Sequence, residues 1–141
     1  MSSPPPAPVS ARSLLAGAKE LGLALPILKS NREGVPLRAY ALLTAHAVEL
    51  CLKAFLLSRG WSQARAKGLG HDLTSAWKAA AAEGLGIAPA IPYWCELLDS
   101  IHSYPYVGRY PPVNSGLVSA GFEELYSNLQ EIINLVEPST K

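Results

Sequence analysis

The chain has 141 residues, of which 49% are hydrophobic and 16% are charged, and its formal net charge is +1 at pH 7. This length predicts about one domain, which can bury a core without disulfides or metals. The small net charge argues against a protein that coats nucleic acids non-specifically. Cys51 and Cys95 lie in apolar stretches, which predicts buried free thiols in a reducing, cytoplasmic setting.

The N-terminal segment 1–12 is rich in proline and serine, which predicts a disordered tail. A single helical domain is expected over residues 13–137. Lys19 and Glu20 interrupt the first apolar segment, so a secretory signal is not expected.

The spacing of apolar residues is helical along the chain. It predicts a first helix over residues 13–25 that ends before Pro26. A second helix begins near Pro36, because proline suits a first helical turn, and it runs to about Arg59. Gly60 then supplies the left-handed residue that commonly follows a helix.

The second helix is apolar nearly all round, which predicts a position at the centre of a bundle. Residues 39–57 almost suffice to cross a bilayer, but His46, Glu49 and Lys53 would be costly in lipid. A soluble protein that does not enter a membrane is therefore expected. The three polar residues form one narrow strip, which faces either solvent or a polar pocket, and solvent is the commoner outcome.

Three further helices are predicted over residues 72–83, 92–103 and 117–136. An irregular segment rich in tyrosine and proline separates the last two. The final helix carries an apolar stripe that begins at Val118 and ends at Val136. The predicted fold is therefore all-α, an antiparallel bundle of four to five helices.

The start of the third helix is a candidate site. Asp72 is a good N-cap, because its carboxylate can accept from free N–H groups of the first turn. The connection before it carries four basic or titratable residues: Arg59, Arg65, Lys67 and His71. Together with the helix dipole, these residues predict an anion site, although a solvated basic loop is the commoner outcome.

Arg109 is a second candidate. It lies in a segment with three tyrosines, namely Tyr104, Tyr106 and Tyr110. An arginine among aromatic rings can stack on them or bind a carboxylate or phosphate through two hydrogen bonds. It could equally be a structural clasp that binds helix carbonyls or pairs with Asp72 or Glu49.

Three motifs occur in an order that resembles the HEPN domain family (higher eukaryotes and prokaryotes nucleotide-binding domain). They are AHAVELCLKAFL on the second helix, GHDL at the start of the third and GRYP after the fourth. The likeness spans about residues 13–136. The matching positions are Glu49, Leu52–Lys53, His71–Asp72–Leu73 and Arg109–Tyr110–Pro111.

The resemblance implies a bundle of four or five helices that is frequently a homodimer. Members are often encoded beside a minimal nucleotidyltransferase as toxin–antitoxin or defence pairs. Many are metal-independent endoribonucleases with an Arg-x(4–6)-His motif late in the domain, where two protomers meet. This chain has no histidine after Arg109, and Arg65 with His71 has the required spacing only in the connection before the third helix.

Three functional hypotheses follow. The first is a non-catalytic module of a bacterial toxin–antitoxin or defence system that binds a nucleotide, another anion or a partner protein. Its ligand-binding residues would be Glu49, Lys53, His71, Asp72, Arg109 and Tyr110. The second is a metal-independent endoribonuclease whose candidate catalytic residues are Arg65, His71 and Arg109. The third is a purely structural interaction module.

The expected partners are a second copy of the chain, a nucleotidyltransferase-like protein and a nucleotide or RNA. No cofactor is expected. The sequence shows no CxxC motif or His/Cys cluster, so no metal site is predicted.

Overall fold

A computed structural model describes residues 3–5, 7–30, 34, 36–112 and 116–141. Within these ranges the chain forms six α-helices and a terminal 3-10 turn, and it contains no β-strand. The helices are α1 Ala11–Lys29, α2 Leu37–Ser58, α3 Gln63–Lys67, α4 Leu73–Ala82, α5 Tyr93–His102 and α6 Phe122–Val136, followed by the 3-10 turn Glu137–Thr140. The predicted all-α class is confirmed.

Helix α2 lies at the centre of the bundle, as its apolar surface predicts. It contacts α1, α4, α5 and α6. Val48, Leu52 and Leu56 are fully buried and represent the core that these contacts create. By length and composition α2 could cross a bilayer, but most of its apolar window is buried inside the protein, as in the core helix of a soluble protein.

Helix α1 is longer than predicted at both ends. It begins at Ala11, inside the segment expected to be a disordered tail, because Ser10 and Ser13 form a reciprocal capping box. At the other end Pro26 lies within the helix, which continues to Lys29. Proline inside a helix costs one backbone hydrogen bond, and the burial of Leu25 on the same turn offsets this cost.

The connection between α2 and α4 is not entirely a loop. As predicted, Gly60 follows α2 with a positive φ of 97°. The chain then forms the five-residue helix α3, where the Ser62 side chain accepts a hydrogen bond from the Arg65 N–H. So short a helix has no apolar periodicity to reveal it in the sequence.

Helix α6 begins at Phe122 instead of residue 117, and Gly121 is its extended N-cap. Val118, predicted on the apolar stripe, lies before the helix and is exposed. The rest of the stripe faces the core: Phe122 is partly buried against it, and the following residues are buried: Leu125, Leu129, Ile132 and Val136. Part of the predicted irregular segment, residues 113–115, lies outside the described residues.

Candidate functional site

Glu49 of α2 is the centre of a polar cluster inside the bundle. Only 4% of its surface is exposed. Its Oε1 accepts hydrogen bonds from His71 Nδ1 at 2.8 Å and from His102 Nε2 at 2.7 Å. Its Oε2 accepts from Lys53 Nζ at 3.0 Å. The strip on α2 therefore faces a polar pocket, and the expectation of a solvent-facing strip is wrong, because the start of α4 and the end of α5 cover it.

Two backbone features place His71 beside Glu49. Gly70 adopts a positive φ of 60°, a conformation that glycine reaches without steric cost. Lys53 Nζ also donates to the Gly70 carbonyl oxygen at 2.6 Å. The lysine one turn after Glu49 thus fixes the connection that carries His71.

The hydrogen bonds to Glu49 determine its ionisation state and which nitrogens of His71 and His102 carry protons. Burial alone would raise the pKa of Glu49, but the hydrogen bonds from His102 and His71, together with the charge and hydrogen bond of Lys53, outweigh it and lower the pKa to about 2. An ionised carboxylate only accepts, so His71 Nδ1 and His102 Nε2 both carry protons. A neutral His71 therefore keeps a lone pair on Nε2.

All three histidines of the chain belong to this cluster. The His102 ring centroid lies 5.3 Å from that of His71 and 6.3 Å from that of His46. Nδ1 of His46 and Nδ1 of His102 are buried, and neither has a hydrogen-bond partner in the described parts of the chain. Burial lowers the pKa of His46, and the charge of Arg109 lowers it further, whereas Glu49 opposes the shift.

His102 is the member of the cluster that sequence reasoning missed. It occupies the last turn of α5 and is fully buried. The signal was present, because the buried positions of α5 follow helical spacing from Trp94 and Cys95 through Leu98 and Ile101 to His102. A polar residue on an apolar face needs a buried partner, and Glu49 is that partner.

Two carboxylates cap the start of α4. The predicted Asp72 cap is confirmed: its side chain accepts from the Ser75 N–H at 3.0 Å and from Ser75 Oγ at 2.8 Å. Asp99 of α5 accepts from the Leu73 N–H at 2.8 Å and from Thr74 Oγ1 at 2.6 Å. These two carboxylates therefore occupy the Leu73 and Ser75 N–H groups, and the anion site expected at this terminus stays a prediction.

Arg65 is directed away from the cluster. Its guanidinium lies over the Trp61 ring, 3.6 Å from the centroid, in a cation–π contact. The indole N–H of Trp61 donates to Glu83 Oε1 at 3.1 Å. Arg65 and His71 share no hydrogen bond, so the spacing of Arg65 and His71 in the sequence does not correspond to a contact in the described structure.

Arg109 is exposed and forms no ion pair with Asp72 or Glu49, so those two clasp pairings are wrong. Another arginine provides the clasp. Arg38 Nη1 donates to the carbonyl oxygens of Val107 at 3.3 Å and Gly108 at 2.9 Å. Arg38 therefore fixes the segment, and the Arg109 guanidinium remains at the surface.

Gly108 brings this segment against the bundle. Its N–H donates to the Ile101 carbonyl oxygen at 2.9 Å. A Cβ at this position would lie 2.7 Å from that oxygen and 2.9 Å from Leu42 Cδ2, so only glycine fits without displacement. The close approach places the Tyr106 ring 5.9 Å from that of His71, while Tyr110 remains exposed.

A family model for the HEPN domain matches residues 28–139. This chain belongs to the HEPN domain family. Neither the search of curated proteins nor the search of solved structures gave a match. The matched range contains Glu49, His71, His102 and Arg109, and family membership supports a nucleotide- or RNA-related module.

In this HEPN domain folding brings Arg109 within electrostatic range of the histidine cluster. All three histidines precede Arg109 in the sequence, yet the charge of Arg109 acts on His46. The cluster can present a neutral imidazole with a free Nε2, a nearby guanidinium and exposed tyrosine rings. These groups suit a phosphate and a base.

The cysteines of the HEPN domain take no part in this chemistry. Cys51 and Cys95 are free and buried, as predicted. Burial raises the pKa of each thiol to about 12. Neither is therefore a thiolate nucleophile at neutral pH.

Proposed function

We propose that this HEPN domain is a non-catalytic module that binds RNA or a nucleotide through its phosphate groups. The observation that carries the proposal is the exposed Arg109, whose charge acts on His46 of the cluster and which has no carboxylate partner in Glu49 or Asp72. Arginine binds phosphate oxygens through two parallel hydrogen bonds.

The predicted ligand residues divide into two groups. His71, Arg109 and Tyr110 would contact the ligand, because each has exposed surface at the cluster or next to it in the chain. The others engage groups within the protein: Glu49, Lys53 and Asp72. They would orient His71 and hold the start of α4.

Tyrosine rings add a second kind of contact. Tyr104 is 82% exposed and Tyr110 is 72% exposed, on either side of Arg109 in the chain. Base stacking on an aromatic side chain contributes about 1–3 kcal/mol per base. A single-stranded segment, whose bases are free to stack, suits this surface better than a duplex does.

The biological setting of the proposal rests on the family. A cytoplasmic toxin–antitoxin or defence system, with a nucleotidyltransferase-like partner, is the setting that HEPN membership favours. Purification of the tagged protein with its genomic neighbours tests this part, since a stable complex with a nucleotidyltransferase-like protein is expected.

Fluorescence anisotropy with a short labelled single-stranded RNA tests phosphate binding. Arg109→Gln should weaken binding about tenfold and reduce the salt dependence by roughly 0.7 per lost phosphate contact. Arg12→Gln is the matched control, because Arg12 is an exposed arginine in the first turn of α1. Equal affinity of Arg109→Gln and wild type would refute the site, and no binding by wild type would favour the structural interaction module.

A metal-independent endoribonuclease is the second candidate function. The specific observation in its favour is the hydrogen bond between Glu49 and His71, which leaves His71 Nε2 as the available base. In such a reaction Nε2 would take the proton of a ribose 2′-hydroxyl. The 2′-oxygen would attack phosphorus, and the bond to the 5′-oxygen would break as water protonates that oxygen.

In this candidate reaction Arg109 would stabilise the charge on the phosphate. Incubation of RNA with the protein and excess EDTA distinguishes the two functions. The non-catalytic proposal predicts intact RNA. Cleavage that His71→Ala abolishes, with an unchanged circular dichroism spectrum, would replace it with the nuclease.

We also propose a homodimer, the state that HEPN domains often adopt. Its surface would be the exposed apolar face of α1 and α6, which contains Leu23, Ile27, Tyr126 and Leu135. Light scattering at roughly tens of micromolar should give a dimer for wild type and a monomer for Leu23→Glu/Ile27→Glu. A wild-type monomer would contradict the dimer.

A further inference from the structure

We propose that His46, Glu49 and His102 form a binding site for a divalent transition-metal ion of the zinc class. Each of the three residues offers one ligand atom, and these atoms all lie within 4.8 Å of one another. The inference goes beyond the proposed phosphate contact and does not depend on it, because it concerns the interior of the cluster and not its exposed edge.

An unpaired nitrogen of the cluster supports the site independently. Nδ1 of His46 is buried and has no hydrogen-bond partner among the described residues. A buried polar atom without a partner costs free energy, so most such atoms in folded proteins are satisfied. A metal ion is a partner that accepts the lone pair of a neutral imidazole.

The donor set selects the kind of ion. Two imidazoles and one carboxylate suit zinc, cobalt, nickel or copper, whereas magnesium and calcium prefer oxygen ligands. Glu49 supplies the negative charge, and its position at 4% exposure removes most competing water. Three protein ligands leave a fourth position open, as in zinc sites that bind water or a further ligand.

Modest side-chain movement would complete the geometry. Ligands at about 2.0 Å from a tetrahedral ion lie roughly 3.3 Å from one another. His102 would bind through Nε2, which would lose its 2.7 Å hydrogen bond to Glu49 Oε1 as its proton moves to Nδ1, and the widest pair of ligand atoms would close. His46 is only half buried, so the ion would enter past its ring.

Neighbouring groups can remain in place around the ion. Lys53 donates to Glu49 Oε2 and to the Gly70 carbonyl oxygen, so it has a second acceptor if the carboxylate turns. His71 would orient the carboxylate from outside through Oε1. Such outer partners of metal ligands typically change affinity by about 10–100-fold.

Equilibrium dialysis of the wild-type protein against Zn²⁺, followed by elemental analysis and calorimetry, tests the proposal. We expect one zinc ion per chain and no comparable uptake of Mg²⁺. Substitution with Co²⁺ should give the visible absorption bands of a four-coordinate ion. Failure of wild type to retain Zn²⁺ overturns the site, and the RNA-binding result would not change.

Variants locate the site. His46→Ala should weaken Zn²⁺ binding at least tenfold by calorimetry, and the half-buried position of His46 makes this variant preferable to one at fully buried His102. The Cys51→Ser/Cys95→Ser protein should retain the ion. Unchanged affinity in His46→Ala, or loss of the ion in the cysteine variant, would refute the assignment.

Discussion

Three lysine–glutamate ion pairs occur in the described structure, and they lie in two different environments. Two are exposed and join α1 to α6 and to the terminal 3-10 turn: Lys29–Glu123 and Lys19–Glu137. The third, Lys53–Glu49 within α2, is largely buried, with an N–O distance of 3.0 Å. The same two residue types therefore meet once in the interior and twice in water.

The difference shows that surroundings determine what such a pair does. The lysine lowers the pKa of Glu123 and of Glu137, but water surrounds both carboxylates and screens these pairs. Glu49 instead receives hydrogen bonds from two histidines as well as from Lys53. The buried pair has become the centre of a network, and the exposed pairs remain isolated contacts.

Removal of Glu49 should have the largest effect on stability. In Glu49→Ala the Lys53 ammonium and two histidine N–H groups lose their buried acceptor. Truncation of one partner in a buried pair costs about 3–5 kcal/mol. Urea denaturation should therefore show a loss of this size in the free energy of unfolding.

The matched control for this change is Glu137→Ala, which removes an exposed carboxylate that also pairs with a lysine. Its denaturation midpoint should equal that of wild type. Equal losses in the two variants would contradict the proposed contrast between environments.

Lowering the pH should destabilise the protein through the buried network around Glu49 more than through the exposed pairs. The pKa of Glu49 is lowered to about 2 from 4.5, so its carboxylate stabilises the fold above pH 4.5 and this stability is lost as the pH falls toward 2. The shift corresponds to a loss on the order of 3 kcal/mol. His46, whose pKa is lowered by burial, should begin the loss as the pH falls below 6.5.

Variants divide this pH profile into its parts. The free energy of unfolding is measured from pH 7 to pH 2 for wild type, His46→Gln and Glu49→Gln. His46→Gln should remove the portion that begins below pH 6.5, and Glu49→Gln should flatten the portion between pH 4.5 and 2. A wild-type profile that stays level to pH 3 would show that Glu49 is not held ionised.

The carboxylates that cap the start of α4 are intermediate between the buried and the exposed pairs, because Asp72 and Asp99 are both partly buried. Each accepts a backbone N–H of the first turn. Asp72→Ala and Asp99→Ala should each lower the free energy of unfolding by about 1 kcal/mol. His71→Ala should cost less, and a cost above that of Asp72→Ala would make His71 chiefly structural.

The smallest effect is expected at the surface pair of Lys29 and Glu123. Lys29→Gln should leave the thermal midpoint unchanged, and raising the salt concentration should not alter the comparison with wild type. Glu123→Gln serves as the reciprocal variant. A clear loss of stability in either one would show that exposed pairs between helices contribute more than their environment suggests.

The parts of the fold that repeat over many residues were readable from the sequence. The apolar surface of α2 predicted its central place, and the stripe of α6 predicted most of its buried residues. The predicted helix ends were wrong where a few local contacts determine where a helix begins or ends. The serine capping box lets α1 begin earlier than predicted, and packing of the turn that contains Pro26 lets the helix continue to Lys29. At the other end of the chain, α6 begins only after its N-cap Gly121.

Contacts of the site between residues close in sequence were predictable. Contacts between helices that are distant in sequence were not. The Asp72 cap followed from local spacing, and Glu49 and His71, predicted as members of one ligand site, share a hydrogen bond. His102 and Asp99 escaped prediction because both act from α5 on α2 and α4. A structural clasp was one of two alternatives for Arg109, but Arg38, far away in sequence, provides such a clasp.

The convergence of every histidine of the chain on Glu49 gives the protein a built-in reporter. A sample labelled with ¹⁵N only at histidine would show three imidazole rings in a nuclear magnetic resonance spectrum, without background from elsewhere. The ring nitrogen shifts distinguish the Nδ1–H form expected for His71 from the Nε2–H form expected for His102. The same spectrum would register RNA at one edge of the cluster and Zn²⁺ at its centre as separate perturbations, without any substitution in the chain.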